Sequence, residues 1–495
     1  GVDDRYWKGK PPPVHKSVDP SAPIVHLSRP LAQALKAGVG EEIVIHIRKR
    51  SEVPEESLLG RKKTGDLLSE LEVTVGGILD RDRSMASFKM SSDPQPARNA
   101  FVSLSWLQQK LDEEKKQVNA LLIQNGKPDL QTRLRETLTL EDWGLILRSP
   151  KSRAQRLMQV DRRIKRQGGL RSRDWKGRVA ASTIPEIDVN KDRLLTEKEI
   201  EEFYAKKRGY LSLESRRLML RPPMVDAVMR AAKSSRLHIA QTFVHLANSI
   251  HKKGEPQNEI PYSVVAAVDP SKSAPLGPFL PKGVTMLKDD EIVLVQWDDS
   301  PLKAQVGDSI NVTYFEPEHH GKPKEETTTF QLKGFVPLEG VTGDDGLTPE
   351  FPGITDKLTL ETWNPPFPYE NKRDKPRDDE YWQNHRTAPK AFITLTQGKK
   401  LWRSRFGEVT SIRLAPRSGQ SLEEAETIFR RDLLKTLKPE QGGFVFVSLK
   451  EGNLKASQGG GFDFGMLFVG FSFFLILAAL LLVGLLFRLS IDRRA

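Results

Sequence analysis

The run Asp188-Val189-Asn190-Lys191-Asp192-Arg193-Leu194-Leu195-Thr196-Glu197-Lys198-Glu199 places oxygen-bearing side chains at positions 1, 3, 5, 9 and 12 of a twelve-residue segment. That spacing matches an EF-hand loop, in which alternate residues wrap a calcium ion and position 7 offers a main-chain carbonyl. Asp188, Asn190, Asp192, Thr196 and Glu199 would supply side-chain oxygens, and Leu194 the carbonyl. Leu195 is the apolar residue expected at position 8, and Glu199 opens a helical run from Ile200 to Lys207. Two departures stand against this. Arg193 occupies the place where the sharp turn calls for Gly, and Ile184-Pro185 interrupts the incoming helix. The same residues also fit a solvated acidic turn, with Glu197 and Glu199 favouring a helix N-terminus. A bound calcium ion would be structural, tethering a basic insertion, rather than catalytic.

Little else is arranged for chemistry. Cysteine is absent, which excludes disulfides, thiolate nucleophiles and zinc-thiolate sites. No G-x-x-x-x-G-K-[ST], H-E-x-x-H or G-x-S-x-G occurs. The one adjacent histidine pair, His319-His320, stands in a polar stretch beside Gly321 and Pro323 and reads as a loop. Carboxylates are abundant, but nothing selects an acid/base pair. The chain is therefore not expected to be an enzyme.

The elements that would position such a loop begin with a membrane span. From Phe464 to Phe487 no charged residue interrupts the apolar run, which as a helix covers ~36 Å, more than a ~30 Å hydrocarbon core. Arg488, Arg493 and Arg494 follow it against Asp492 alone, so the positive-inside rule puts residues 488–495 in the cytoplasm and the bulk of the chain outside. Ser457-Gln458-Gly459-Gly460-Gly461 reads as a linker, within 457–463. The chain starts at Gly1 without Met or an export signal, which suggests an upstream membrane helix and a piece of a longer protein.

With 495 residues, 38% hydrophobic and 29% charged, several packed domains are expected. The formal charge of +12 is concentrated: Lys151 to Arg178 holds eleven basic residues against Asp161 and Asp174. That stretch has no groove-reading or stacking pattern, so no nucleic-acid partner is expected.

Self-similarity organises the rest. LKAGVGEEIVI at Leu35 to Ile45 recurs as LKAQVGDSINV at Leu302 to Val312, and ARNAFVSL at Ala97 to Leu104 as APKAFITL at Ala388 to Leu395. These matches suggest an α+β fold with duplicated αβ modules: residues 1–150 and 209–456, separated by a basic insertion over 151–208 and followed by the helix at 464–487. In each half a turn leads into a strand, Ile43 to Ile47 as a buried run and Ile310, Val312 and Tyr314 as an alternating one. Further strands are predicted at Leu71 to Val75, Val264 to Val268, Ile292 to Trp297, Phe330 to Val336 and Phe444 to Leu449. Ser421 and Glu424 form a capping box opening a helix with an apolar face of Leu422, Ala425, Ile428, Phe429 and Leu433. Segments 8–20 and 340–390 are polar and Pro-rich and read as loops.

Several stretches together resemble one family. Gly461-Phe462-Asp463-Phe464-Gly465 and the apolar run after it look like the second membrane helix of MacB/FtsX-type ABC transporter permeases, in a bacterial subgroup with a large extracytoplasmic domain. Gly1-Val2-Asp3-Asp4-Arg5-Tyr6-Trp7 resembles the segment after the first. Pro349 to Asp356 (PEFPGITD), Trp363 to Pro368 (WNPPFP) and Asp379-Glu380-Tyr381-Trp382 are similar to further stretches. The resemblance implies a bacterial cytoplasmic-membrane protein that pairs as a dimer or with another permease. A separate cytoplasmic ATPase would bind the ATP, and the outer domain would act on an envelope protein, a lipoprotein or an export substrate. The family has no catalytic residues to carry over, and the remaining permease helices are not in this sequence. The rival reading is a single-pass membrane-anchored binding or adhesion protein with a calcium-dependent module.

Overall fold

The computed structural model describes the chain apart from residues 9, 11, 17, 20–21, 49–67, 81–85, 87, 90–94, 112–117, 125–128, 160–167, 172–178, 318–322, 366, 449–463 and 494–495. Much of the basic run, the His319-His320 pair and the Ser457 to Gly461 linker lie outside the described residues. Helices and strands are mixed, an α+β arrangement, and fall into two compact units. The smaller comprises residues 1–49, 68–124 and 445–495, and the larger 50–67 and 125–444.

In the smaller unit β1 (Ile24–Ser28) runs into α1 (Arg29–Leu35), β2 (Glu42–Arg48), β3 (Leu68–Leu79), β4 (Ala100–Val102) and α2 (Leu104–Lys110). Pro30 falls in the first turn of α1, where its missing N–H removes no helical hydrogen bond. The sheet order is β2-β3-β1-β4, with β1 parallel to β3 and the other neighbours antiparallel. Val25, Leu27, Val73, Val75 and Val102 form the core with Ala32 of α1. The pairing of β1 with β3 slips by one residue after Val25, passing over Gly76. A Cβ there would lie 2.3 Å from Ile24 Cγ2, so the bulge needs glycine. The Ile43 to Ile47 run is not buried as its composition suggests. β2 is an edge strand, and Val44 is 49% exposed. A largely apolar run such as this one, broken only by His46, fixes neither the number of neighbours nor burial of both faces.

The larger unit contains α3 (Leu130–Thr137), β5 (Leu145–Arg148), α4 (Pro150–Gln159), β6 (Leu170–Arg171), α5 (Ile184–Ile187), β7 (Leu194–Leu195) and α6 (Glu197–Arg208). It continues through β8 (Leu211–Ser215), α7 (Pro222–Ser234), β9 (His238–Lys252), β10 (Ile260–Val268), β11 (Glu291–Val295), β12 (Ser309–Phe315) and β13 (Glu325–Val336). It ends with α8 (Pro376–His385), β14 (Ala391–Thr394), α9 (Leu395–Trp402), β15 (Ser411–Ala415) and α10 (Leu422–Thr436). Strands β10-β14-β11-β13-β12-β9 are joined in that order, and β9 also pairs with β10, which closes a six-stranded barrel. β15, β8 and β5 extend the sheet as a wing beyond β9. Closure removes the unpaired edges that an open sheet would present.

One hydrophobic core of the barrel strands gathers Phe243, Ile250, Val265, Ile310, Val312, Phe330 and Ile393 with Trp402 of α9, among others. On the wing, α7 and α10 cover Leu145, Leu147, Leu211, Leu213, Ile412 and Leu414. α10 begins with the expected Ser421–Glu424 box and buries Ala425, Phe429 and Leu433 at helical spacing. Two expectations fail. Residues 444–448 form no strand, and Val445 and Val447 are 61% and 65% exposed. Segment 340–390 is not plain loop: it contains α8 and sends Phe351, Trp363, Phe367 and Trp382 into the barrel core. Its prolines conceal a set of aromatics that bury without regular periodicity.

The strand order and senses of β2-β3-β1-β4 recur in β12-β13-β11-β14. Ile24 to Glu291 and Glu42 to Ser309 are both steps of 267 residues, and the register repeats: Glu42 faces Thr74 where Ser309 faces Gln331. Both parallel pairs carry a one-residue slip, after Val25 and after Ile292.

α11 (Phe464–Asp492) is 29 residues long and, among the described residues, the one helix long and apolar enough to cross a membrane. None of its described stretch Phe468–Asp492 is buried within the chain, which is consistent with membrane anchoring.

Candidate functional site

The six residues expected to ligate a cation fall in one small subdomain of the larger unit. Its core is Ala154 and Met158 of α4, Leu170 of β6, Ile187 of α5, Leu195 of β7, and Ile200, Phe203 and Tyr204 of α6. β6 and β7 form a two-stranded antiparallel ladder, with Leu170 opposite Leu195 and Arg171 opposite Leu194. The incoming helix α5 has only four residues, in keeping with Pro185. α6 starts on a reciprocal cap. The Thr196 hydroxyl accepts the Glu199 N–H at 3.3 Å, and Glu199 Oε2 accepts the Thr196 N–H at 2.9 Å.

Within the loop the chain coils around its own side chains. The Arg193 N–H donates to Asp188 Oδ2 (3.2 Å), the Asp192 N–H to Asn190 Oδ1 (2.9 Å) and the Leu194 N–H to Asp192 Oδ1 (2.8 Å). Lys191 and Arg193 take left-handed φ angles of 58° and 61°. Arg193 thus adopts the turn for which the sequence lacks glycine. Asp188 is buried, and its Oδ1 accepts no hydrogen bond. Asn190 Nδ2 donates to Asp192 Oδ2 (3.2 Å) and to Glu199 Oε1 (3.1 Å). As arranged here, no three His, Asp or Glu side chains among the described residues are gathered closely enough to hold a metal ion. Glu197 and Glu199 lie in the first turn of α6, which Thr196 caps, and the loop geometry coexists with that cap.

α6 ends in a buried ionic cluster that the composition does not reveal. Arg208 Nε lies 2.8 Å from Asp344, and Arg153 of α4 lies 2.8 Å from Asp345, to which Arg208 also pairs. Tyr210 donates to Asp344, and the Arg153 and Arg208 guanidiniums stack over Tyr204 at 4.2 and 4.7 Å. Burial alone would raise Asp345, but Arg153 and Arg208 together outweigh it and hold the carboxyl well below the usual carboxylate range.

The barrel carries a cavity of about 80 Å³, lined by apolar residues including Phe351, Trp363 and Trp382 and by His245, Asp378 and Lys390. Lys390 Nζ lies 4.2 Å from the Trp297 ring centre and 4.3 Å from that of Tyr381. Burial pushes its ammonium down to about 8, with Asp378 opposing, and burial raises the Asp378 carboxyl. Burial also lowers His245 to about 3. Lys390 lies inside one of the repeated strings, yet nothing in its spacing marked it as more than a strand flank. Neither a protein-family model nor a curated protein matches the sequence.

Proposed function

We propose that this chain is the extracytoplasmic domain, with one membrane helix, of an ABC-type permease of the MacB/FtsX superfamily. It would couple a partner ATPase to work outside the membrane: export, lipoprotein release or regulation of the envelope. The observation that carries this reading is α11, a 29-residue apolar helix whose stretch Phe468–Asp492 buries nothing in the chain, following a folded α+β body. Two further observations support it. The first residues, including the Val2–Ser103 bridge, belong to the same compact unit as α11, so movement of a membrane helix would enter the smaller unit. The two sheets also share order, sense, register and bulge, which favours descent of both from one duplicated module.

The chain lacks cysteine, so single reporters test the orientation. In intact cells Ser418→Cys should react with a membrane-impermeant maleimide, and Ser490→Cys should react only after permeabilisation. Gentle solubilisation of the full chain should retain an ATPase carrying a Walker A loop. Labelling of the Ser490 position from outside would overturn the orientation. Correct labelling with no ATPase retained would replace the permease with an anchored binding protein.

A further inference from the structure

We propose that the loop from Asp188 to Glu199 is a calcium site, ligated by Asp188, Asn190, Asp192, the Leu194 carbonyl, Thr196 and Glu199. Its occupancy fixes α5, β7 and α6 as one unit. The inference does not rest on the permease reading.

The observation beyond loop geometry is Asp188. Its side chain is 8% exposed, and one carboxylate oxygen, Oδ2, takes the Arg193 N–H of the loop. The other, Oδ1, is buried with no donor. A buried carboxylate oxygen without a donor is costly, and a cation on the loop side satisfies it. Asp188 is position 1 of the spacing, where an EF-hand draws its first ligand.

Asn190 shows where the ion belongs. Its amide Nδ2 reaches both Asp192 and Glu199, so a neutral donor now bridges two carboxylates. Calcium displaces that bridge, the amide turns its oxygen inward, and Asp192 and Glu199 close on the ion. Glu199 is already directed at the loop, because the Thr196 N–H and hydroxyl hold its Oε2 at 2.9 and 2.8 Å. The donors are all oxygens and three carry charge, which suits a hard cation; an irregular set of six suits calcium better than the octahedral demand of magnesium.

Arg193 in a left-handed turn, with Lys191 and Lys198 nearby, places the affinity at the weak end of such loops. The expected Kd is on the order of 10⁻⁴–10⁻³ M, as in extracellular modules. At its far end α6 delivers Arg208 to Asp344 and Asp345, so an ordered loop also steadies the ionic cluster.

The test is calcium chloride titrated into the full chain in detergent, followed by calorimetry and by amide exchange. One ion per chain should bind, with magnesium at least ~10-fold weaker. Exchange across residues 194–204 should slow several-fold. Glu199→Gln and Asp188→Asn should each weaken binding ~10-fold or more, while Glu202→Gln, on the exposed face of α6, leaves it unchanged. Unaltered exchange in β9 and β10 of each variant establishes that the loss is of a ligand and not of the fold. Absence of calcium binding at ~10 mM, or full affinity in both ligand variants, overturns the proposal.

Discussion

Lys390 Nζ lies 3.8 Å from Asp378 Oδ1, both side chains buried beside the barrel cavity. Removing one partner of such a pair strands the other charge. Lys390→Met should therefore cost about 3–5 kcal/mol in denaturant unfolding, whereas Lys390→Met with Asp378→Asn should recover most of it. Equal losses in the single and double variants would show that packing of the lysine stem, with its Trp297 and Tyr381 contacts, is what matters.

His245 stacks on Trp402 at 5.0 Å, and burial keeps it neutral down to about pH 3, a backbone hydrogen bond with Phe315 opposing only in part. The unfolded chain takes up a proton near pH 6.5 while the native ring does not. Stability is therefore present above that pH and lost as pH falls from 6.5 towards 3, by about 2–3 kcal/mol at pH 4.5. Asp374, raised to about 6 by burial, acts with the opposite sign between 6 and its ordinary value. The comparison that isolates the histidine is His245→Phe, whose unfolding free energy should decline less than that of the wild type between pH 7 and 4.5. Parallel curves would contradict the burial effect.

Gly398 lies inside α9, where alanine would ordinarily stabilise by ~1 kcal/mol. Here a Cβ would stand 2.1 Å from Ala267 Cβ of β10. The clash outweighs propensity, and Gly398→Ala should destabilise by about 1–3 kcal/mol, with Ala267→Gly restoring part of it. A neutral Gly398→Ala would mean that α9 can shift on the barrel.

Arg193 presents the reverse case. Its left-handed conformation costs a non-glycine residue about 1–2 kcal/mol, more than the ~0.5–1 kcal/mol of extra chain entropy that glycine loses on folding. Arg193→Gly should stabilise the loop by a few tenths to ~1 kcal/mol and tighten calcium binding up to about five-fold. Weaker binding in that variant would assign the arginine side chain a role of its own.

The sequence was most legible where a local rule coincided with a tertiary need. The Ser421–Glu424 box, the turns at Gly40 and Gly307, and the alternation of Ile310, Val312 and Tyr314 all appear as read. The repeated strings marked two strands of each sheet, and the structure adds that even the bulges recur. Barrel closure was not legible, because the pairing of β9 with β10 depends on neighbours that no single window contains. Nor was Lys390, whose surroundings come from Trp297, remote from it in sequence, and from Asp378 and Tyr381 of α8. The loop residues were the reverse: visible by spacing alone, while the unsatisfied Asp188 oxygen could emerge only from packing.

β9 has a mechanical consequence. Its first five residues pair with β15 of the wing, and from Thr242 onward it pairs with β10 and then β12 of the barrel. One continuous backbone is thus a member of two cores, so the wing cannot peel away without drawing out a stave of the barrel. Load applied to either part is shared through a single strand. The two should melt in one transition, with the slowest-exchanging amides clustered near Thr242, where the allegiance of the strand changes.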